Sequence, residues 1–84
     1  MKAKVNRVSY LRKAWEDKNN QKLTQRRLGK LIGVSVTTVN NWETHLHEPA
    51  AHHVVRLLKL FEVPEVKFWK RIEVEYVKET NLIK

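Results

Sequence analysis

The 84-residue chain has no cysteine, only two glycines and two prolines, and no run of apolar residues near the ~20 that a membrane helix requires. Without cysteine, neither disulfides nor thiolate metal sites can brace the fold, so packing must hold it together. Scarce glycine and proline leave little room for the turns of a sandwich or for βαβ units, and favour short helices joined by tight turns. The opening "MKAKVNRVSYLRKAW" lacks the apolar stretch of a signal peptide, and the chain reads as soluble and cytoplasmic. Internal repeats and low-complexity segments are also missing. A chain of this length buries only about 60% of its unfolded surface, which is enough for one core and not for two. The expectation is therefore a single domain over 1–84, with a core at about 8–70 and a C-terminal extension at 71–84.

Charge is abundant but lopsided. Residues 1–31 carry ten Lys/Arg against two acids, whereas residues 32–84 carry seven of each. A local excess of this kind points to a polyanion at one end of the chain, nucleic acid before an anionic membrane. Against this background "GVSVTTVNNWE" stands out, because residues 33–42 bear no charge although 31% of the chain is charged.

Periodicity predicts an all-α bundle of about five short helices. The first spans about 10–18, with Ser9 as N-cap and Tyr10 or Leu11 packing beside Ala14 and Trp15. The second spans about 25–32, capped by Thr24, with Leu28, Leu31 and Ile32 on one face and Gly33 able to end it. Ser35 caps the third, about 36–43, whose apolar stripe is Val39 and Trp42. After Pro49 a fourth helix carries Val54, Val55, Leu57, Leu58, Leu60 and Phe61, too many for one stripe, so it should be covered on two sides. Pro64 opens a short fifth with Val66, Phe68 and Trp69 as packing residues. Beyond it, Ile72, Val74 and Tyr76 alternate with Glu73 and Glu75 as a strand would. Trp69, Ile72, Tyr76 and Val77 also fit a helical stripe, and a continuing helix is the favoured of the two.

The two central helices carry the chemistry. A sharp crossing of short helices needs a small residue where backbones meet, here Gly29, and a glycine able to take φ > 0, here Gly33. At 100° per residue, Val36, Thr37, Asn40 and Asn41 share one arc of the third helix, opposite Val39 and Trp42. That arc offers a methyl-rich side chain, a hydroxyl and two amides, the groups suited to base edges in the major groove. Asn can bond adenine bidentately, Thr several edges, and Val the thymine methyl.

The segment "LTQRRLGKLIGVSVTTVNNWE", with "EP" and "VVRLLKLFEV" after it, resembles the Cro/repressor-type (XRE, lambda-repressor-like) helix-turn-helix family over about residues 8–63. The resemblance implies a sequence-specific double-stranded DNA-binding transcriptional regulator, a repressor first. Such a protein is a homodimer on a palindromic operator and has no cofactor. It places base contacts at Val36, Thr37 and Asn41, with Asn40 ranked after them. Phosphate contacts are expected at Gln25, at the positive N-terminus of the second helix, and at Arg26, then Thr38 and Lys22. Against the family pattern, Trp15 stands where an arginine usually pairs with the acid ending the third helix. Residues 20–22 lengthen the first loop, and Thr44 and His45 replace an Arg-Gly or Asn-Gly turn. An antitoxin-like or scaffold protein, binding another protein through its C-terminal apolar surface, is the alternative.

His45, His47, His52 and His53 are crowded, but zinc wants three or four convergent ligands and neighbours on a helix diverge, so no metal site is expected. Loop histidines could instead meet phosphate. Phosphate-binding glycine loops, nucleophile elbows and metalloprotease signatures do not occur, Ser35 reads as a cap, and no enzyme is expected.

Overall fold

The computed structural model describes residues 2–73. They form a strand β1 (Lys2–Asn6), helices α1 (Val8–Asn19), α2 (Gln25–Ile32), α3 (Val36–Glu43) and α4 (Ala51–Phe61), a 3₁₀ turn (Glu65–Lys67) and a strand β2 (Trp69–Glu73). The expected all-α bundle is thus four helices and a two-stranded antiparallel ribbon. In the ribbon Lys2 faces Glu73 and Asn6 faces Trp69.

The ribbon overturns the favoured continuing helix after Trp69 and realises the alternative, a strand, as far as Glu73. A five-residue segment with mixed periodicity takes whichever backbone partner is in reach, and β1 supplies a complete ladder. The fifth helix shrinks to the 3₁₀ turn, where Val66 is 81% exposed and contributes nothing to the core, while Phe68 is fully buried. Expectations for Val74, Glu75, Tyr76, Val77 and the rest of 74–84 lie outside the described residues.

The core unites Val8, Leu11, Leu23, Leu28, Ile32, Val39, Trp42, Val54, Leu57, Phe61 and Phe68. Of Tyr10 and Leu11 it is Leu11 that packs, beside Val8 of α1, and Ala14 and Leu31 are exposed. Helix α4 buries Val54, Leu57 and Phe61 and half-buries Leu58 and Leu60, but Val55 faces solvent, so its second side is covered only in part.

Local chemistry sets the ends of the elements. The Oδ1 of Asn6 accepts the Val8 N–H at 3.0 Å, so α1 starts at buried Val8 rather than after Ser9. Thr24 and Ser35 cap α2 and α3 through their hydroxyls, accepting the N–H groups of Arg27 and Thr38. Gly33 closes α2 at φ 93°, and Arg56 Nη1 donates to the Ile32 carbonyl there at 2.9 Å. A Cβ on Gly29 would lie 2.6 Å from the Val34 carbonyl oxygen, so the missing side chain is what lets α2 sit against the turn into α3.

Asn6 joins the ribbon to the helices. It is 3% exposed, its Nδ2 donates to the Trp42 carbonyl at 2.8 Å and to Glu48 Oε1 at 3.0 Å, and its backbone N–H reaches the same oxygen at 2.8 Å. Strand β1 is thereby fastened to the segment leaving α3.

Candidate nucleic-acid interface

Helix α3 exposes Thr37 and Asn40 and leaves Val36 and Asn41 half-buried, while Val39 and Trp42 are buried. The four candidate base-contacting residues therefore share the side of α3 away from the core. Lys22 and Arg26 are exposed as well.

A polar cluster fixes this helix against α1 and α2. Arg12 Nε donates to Glu43 Oε2 at 2.7 Å and Nη2 to Oε1 at 3.1 Å, a two-bond fork, while Nη1 donates to the Leu23 carbonyl at 2.9 Å. Gln25 Nε2 adds a bond to Glu43 Oε1 at 3.0 Å and a looser one to Asn40 Oδ1 at 3.4 Å. Burial alone would push the Glu43 carboxyl up, but the bonds from Arg12 and Gln25, with the charges of Arg12 and Lys13, outweigh it and hold the group below its ordinary 4.5. Arg12 is raised in turn by its bond to Glu43.

This arrangement corrects the placement of Trp15 as the counterpart of the family's arginine. Glu43 pairs with Arg12, one helical turn earlier, and Trp15 packs half-buried on the core. The two apparent departures cancel: the three extra loop residues 20–22 displace the register of α1 by the three positions separating 12 from 15. Counting back across the longer loop would have found Arg12 in the sequence. The loop is itself held, with Glu16 Oε2 accepting the Leu23 N–H at 2.7 Å and Leu23 fully buried. Asn6 had no local signal, since it acts through residues distant in sequence, whereas Leu23 stands directly before the Thr24 cap, the position from which an apolar residue commonly packs back onto its helix.

Of the expected phosphate contacts, Gln25 lies on the first turn of α2 with its amide N–H groups turned to Glu43 and Asn40, which leaves its carbonyl oxygen and the backbone N–H groups of Gln25 and Arg26, that of Arg27 being taken by Thr24. Thr38 is half-buried, and its hydroxyl shares a hydrogen bond with that of Ser35 at 3.0 Å.

His45 takes φ 63°, the left-handed conformation that a glycine would adopt in this turn, so a non-glycine residue performs the same reversal. The rings of His52 and His53 do not diverge; their centroids are 4.0 Å apart, and His53 also lies 5.4 Å from Trp42. Burial, then the neighbouring His52 and Arg56, lowers the His53 pKa from 6.5, so the His53 ring resists gaining charge. Among the described residues no group of three or more His, Asp or Glu is placed to hold a metal ion, and no helix is long and apolar enough to cross a membrane.

The sequence model of the helix-turn-helix family matches residues 16–68, more than half of the chain. The protein belongs to the Cro/repressor-type (XRE) helix-turn-helix family. Membership supports DNA binding and transcription regulation, in a family whose domain binds DNA and is not an enzyme. No curated protein and no solved structure gives a match. The helix-turn-helix match takes in α2, α3 and α4, whereas Arg12 and both strands of the ribbon fall outside it.

Proposed function

We propose that this helix-turn-helix protein is a sequence-specific double-stranded DNA-binding transcriptional repressor that lays α3 in the major groove. The observation that carries the reading is the uncharged outer face of α3, anchored from behind by the Arg12, Glu43 and Gln25 cluster. A face without charge has no preference for phosphate over a base, so flanking cations can hold the polyanion while amides, hydroxyl and methyl discriminate sequence.

Val36, Thr37 and Asn41 are the principal base readers and Asn40 a secondary one, since its Oδ1 is partly engaged by Gln25. The first turn of α2, with Gln25 and Arg26, meets the phosphate backbone chiefly through backbone N–H groups and the guanidinium. Lys22 adds a flanking charge, and Thr38 contributes indirectly by closing the start of α3. Two copies on a palindromic operator would read half-sites about 34 Å apart.

In vitro selection from random duplex DNA tests the reading: a defined, two-fold symmetric sequence should emerge. Asn41→Ala should then weaken binding to that sequence by about 1–3 kcal/mol and relax preference at one base pair. A selection that yields no sequence preference, or an Asn41→Ala protein that binds the selected duplex as the parent does, would overturn the assignment.

A further inference from the structure

A second basic surface begins where α3 ends. An open groove of about 880 Å³ runs beside the start of α1, lined by Arg7, Tyr10 and Lys13, by Lys70 of β2 and by His45 just beyond α3. Glu43 is the one acid lining it among the described residues, and both its oxygens are already bonded by Arg12. The groove is therefore positive despite containing a carboxylate.

Its walls are built rather than incidental. Tyr10 is 60% exposed and the Arg7 guanidinium lies over its ring, 4.4 Å from the centroid. Arg7 is held at both ends, its backbone N–H donating to the Phe68 carbonyl at 2.9 Å and its Nη1 to the Lys67 carbonyl at 3.3 Å. Asn6, also in the lining, ties the same wall to the exit of α3. Lys13 and Lys70 are exposed and come from different elements, so their charges are spread along the groove instead of converging on one point. A single small anion calls for converging N–H donors in a confined nest, whereas spread cations on an open surface suit a continuous polyanion.

The geometry points to this groove as a binding site for the phosphodiester backbone of the duplex that α3 reads, next to the C-terminal end of that helix. The inference rests on the DNA-binding reading above. It extends the footprint onto the ribbon and the N-terminal half of α1, which lie outside residues 16–68 that the family model matches.

The test uses the full chain on its selected duplex, comparing the parent with Lys13→Gln/Lys70→Gln and with Lys70→Gln alone over a salt series. Each lost phosphate contact should reduce the steepness of the log Kd against log salt plot by about 0.9, leaving base preference unchanged. Ethylation of phosphates flanking the bases read by α3 should interfere with the parent and not with the double variant. Because both lysines are exposed, the variants remain folded, which a circular-dichroism melt checks. Unchanged salt slope and ethylation pattern in the double variant, while Asn41→Ala still loses the site, would overturn the groove and leave the α3 reading standing. A parent that selects no duplex removes both. Groove resonances that move in NMR with inorganic phosphate but not with the duplex would assign the groove to a small anion and overturn the proposal.

Discussion

Arg12 and Glu43 have side chains only 14% and 7% exposed, and they hold each other through two hydrogen bonds. Removing one member strands the other's charge in a poorly hydrated place, which is costly, whereas replacing both by apolar groups need not be. Arg12→Ala should therefore destabilise the protein by about 3 kcal/mol in urea unfolding, and Arg12→Met with Glu43→Met should recover most of that loss. Equal destabilisation by the single and the double replacement would show that something other than the stranded carboxylate sets the cost. The same pair fixes a pH dependence. The folded-state pKa of Glu43 lies below its unfolded value of 4.5, so its contribution is complete above that value and is lost as pH falls through the folded one. The urea midpoint should fall on acidification below about pH 4.5, and Glu43→Gln should flatten that limb.

At the level of elements, α2 and α3 are local constructions, with hydroxyl caps at both starts and a glycine in the left-handed region between them. Their positions were legible because each signal lies within a few residues of its effect. The ribbon is different. Two five-residue strands are marginal alone, and β1 relies on Asn6, whose side chain satisfies the Val8 N–H, the Trp42 carbonyl and Glu48 together. Asn6→Ala should cost about 1–3 kcal/mol through these lost bonds. Amide hydrogen exchange should show faster exchange in β1 and at the start of α1, with α2 protected. Uniform loss of protection across the chain would mean that the ribbon unfolds only with the whole.

For the whole molecule, the lopsided charge acquires a location. The ten cations of residues 1–31 belong to β1, α1, α2 and the loops joining them, the elements that flank α3. Binding to duplex DNA should weaken steeply with salt, by a log-log slope of about 0.9 for each phosphate neutralised. A flat salt titration would count against the polyanion as partner.

The sequence by itself determined the helix-turn-helix, the outer face of α3 and the charge asymmetry, because spacing, caps and composition are properties of neighbouring residues. Only the tertiary structure decided that Asn6 is buried against the exit of α3 and that the two ends of the described chain pair as strands. Those outcomes depend on contacts between residues 36 to 71 positions apart, such as Asn6 with Trp42 and Lys2 with Glu73. Periodicity reports which face of an element is apolar, but it carries no information about which distant segment that face will meet.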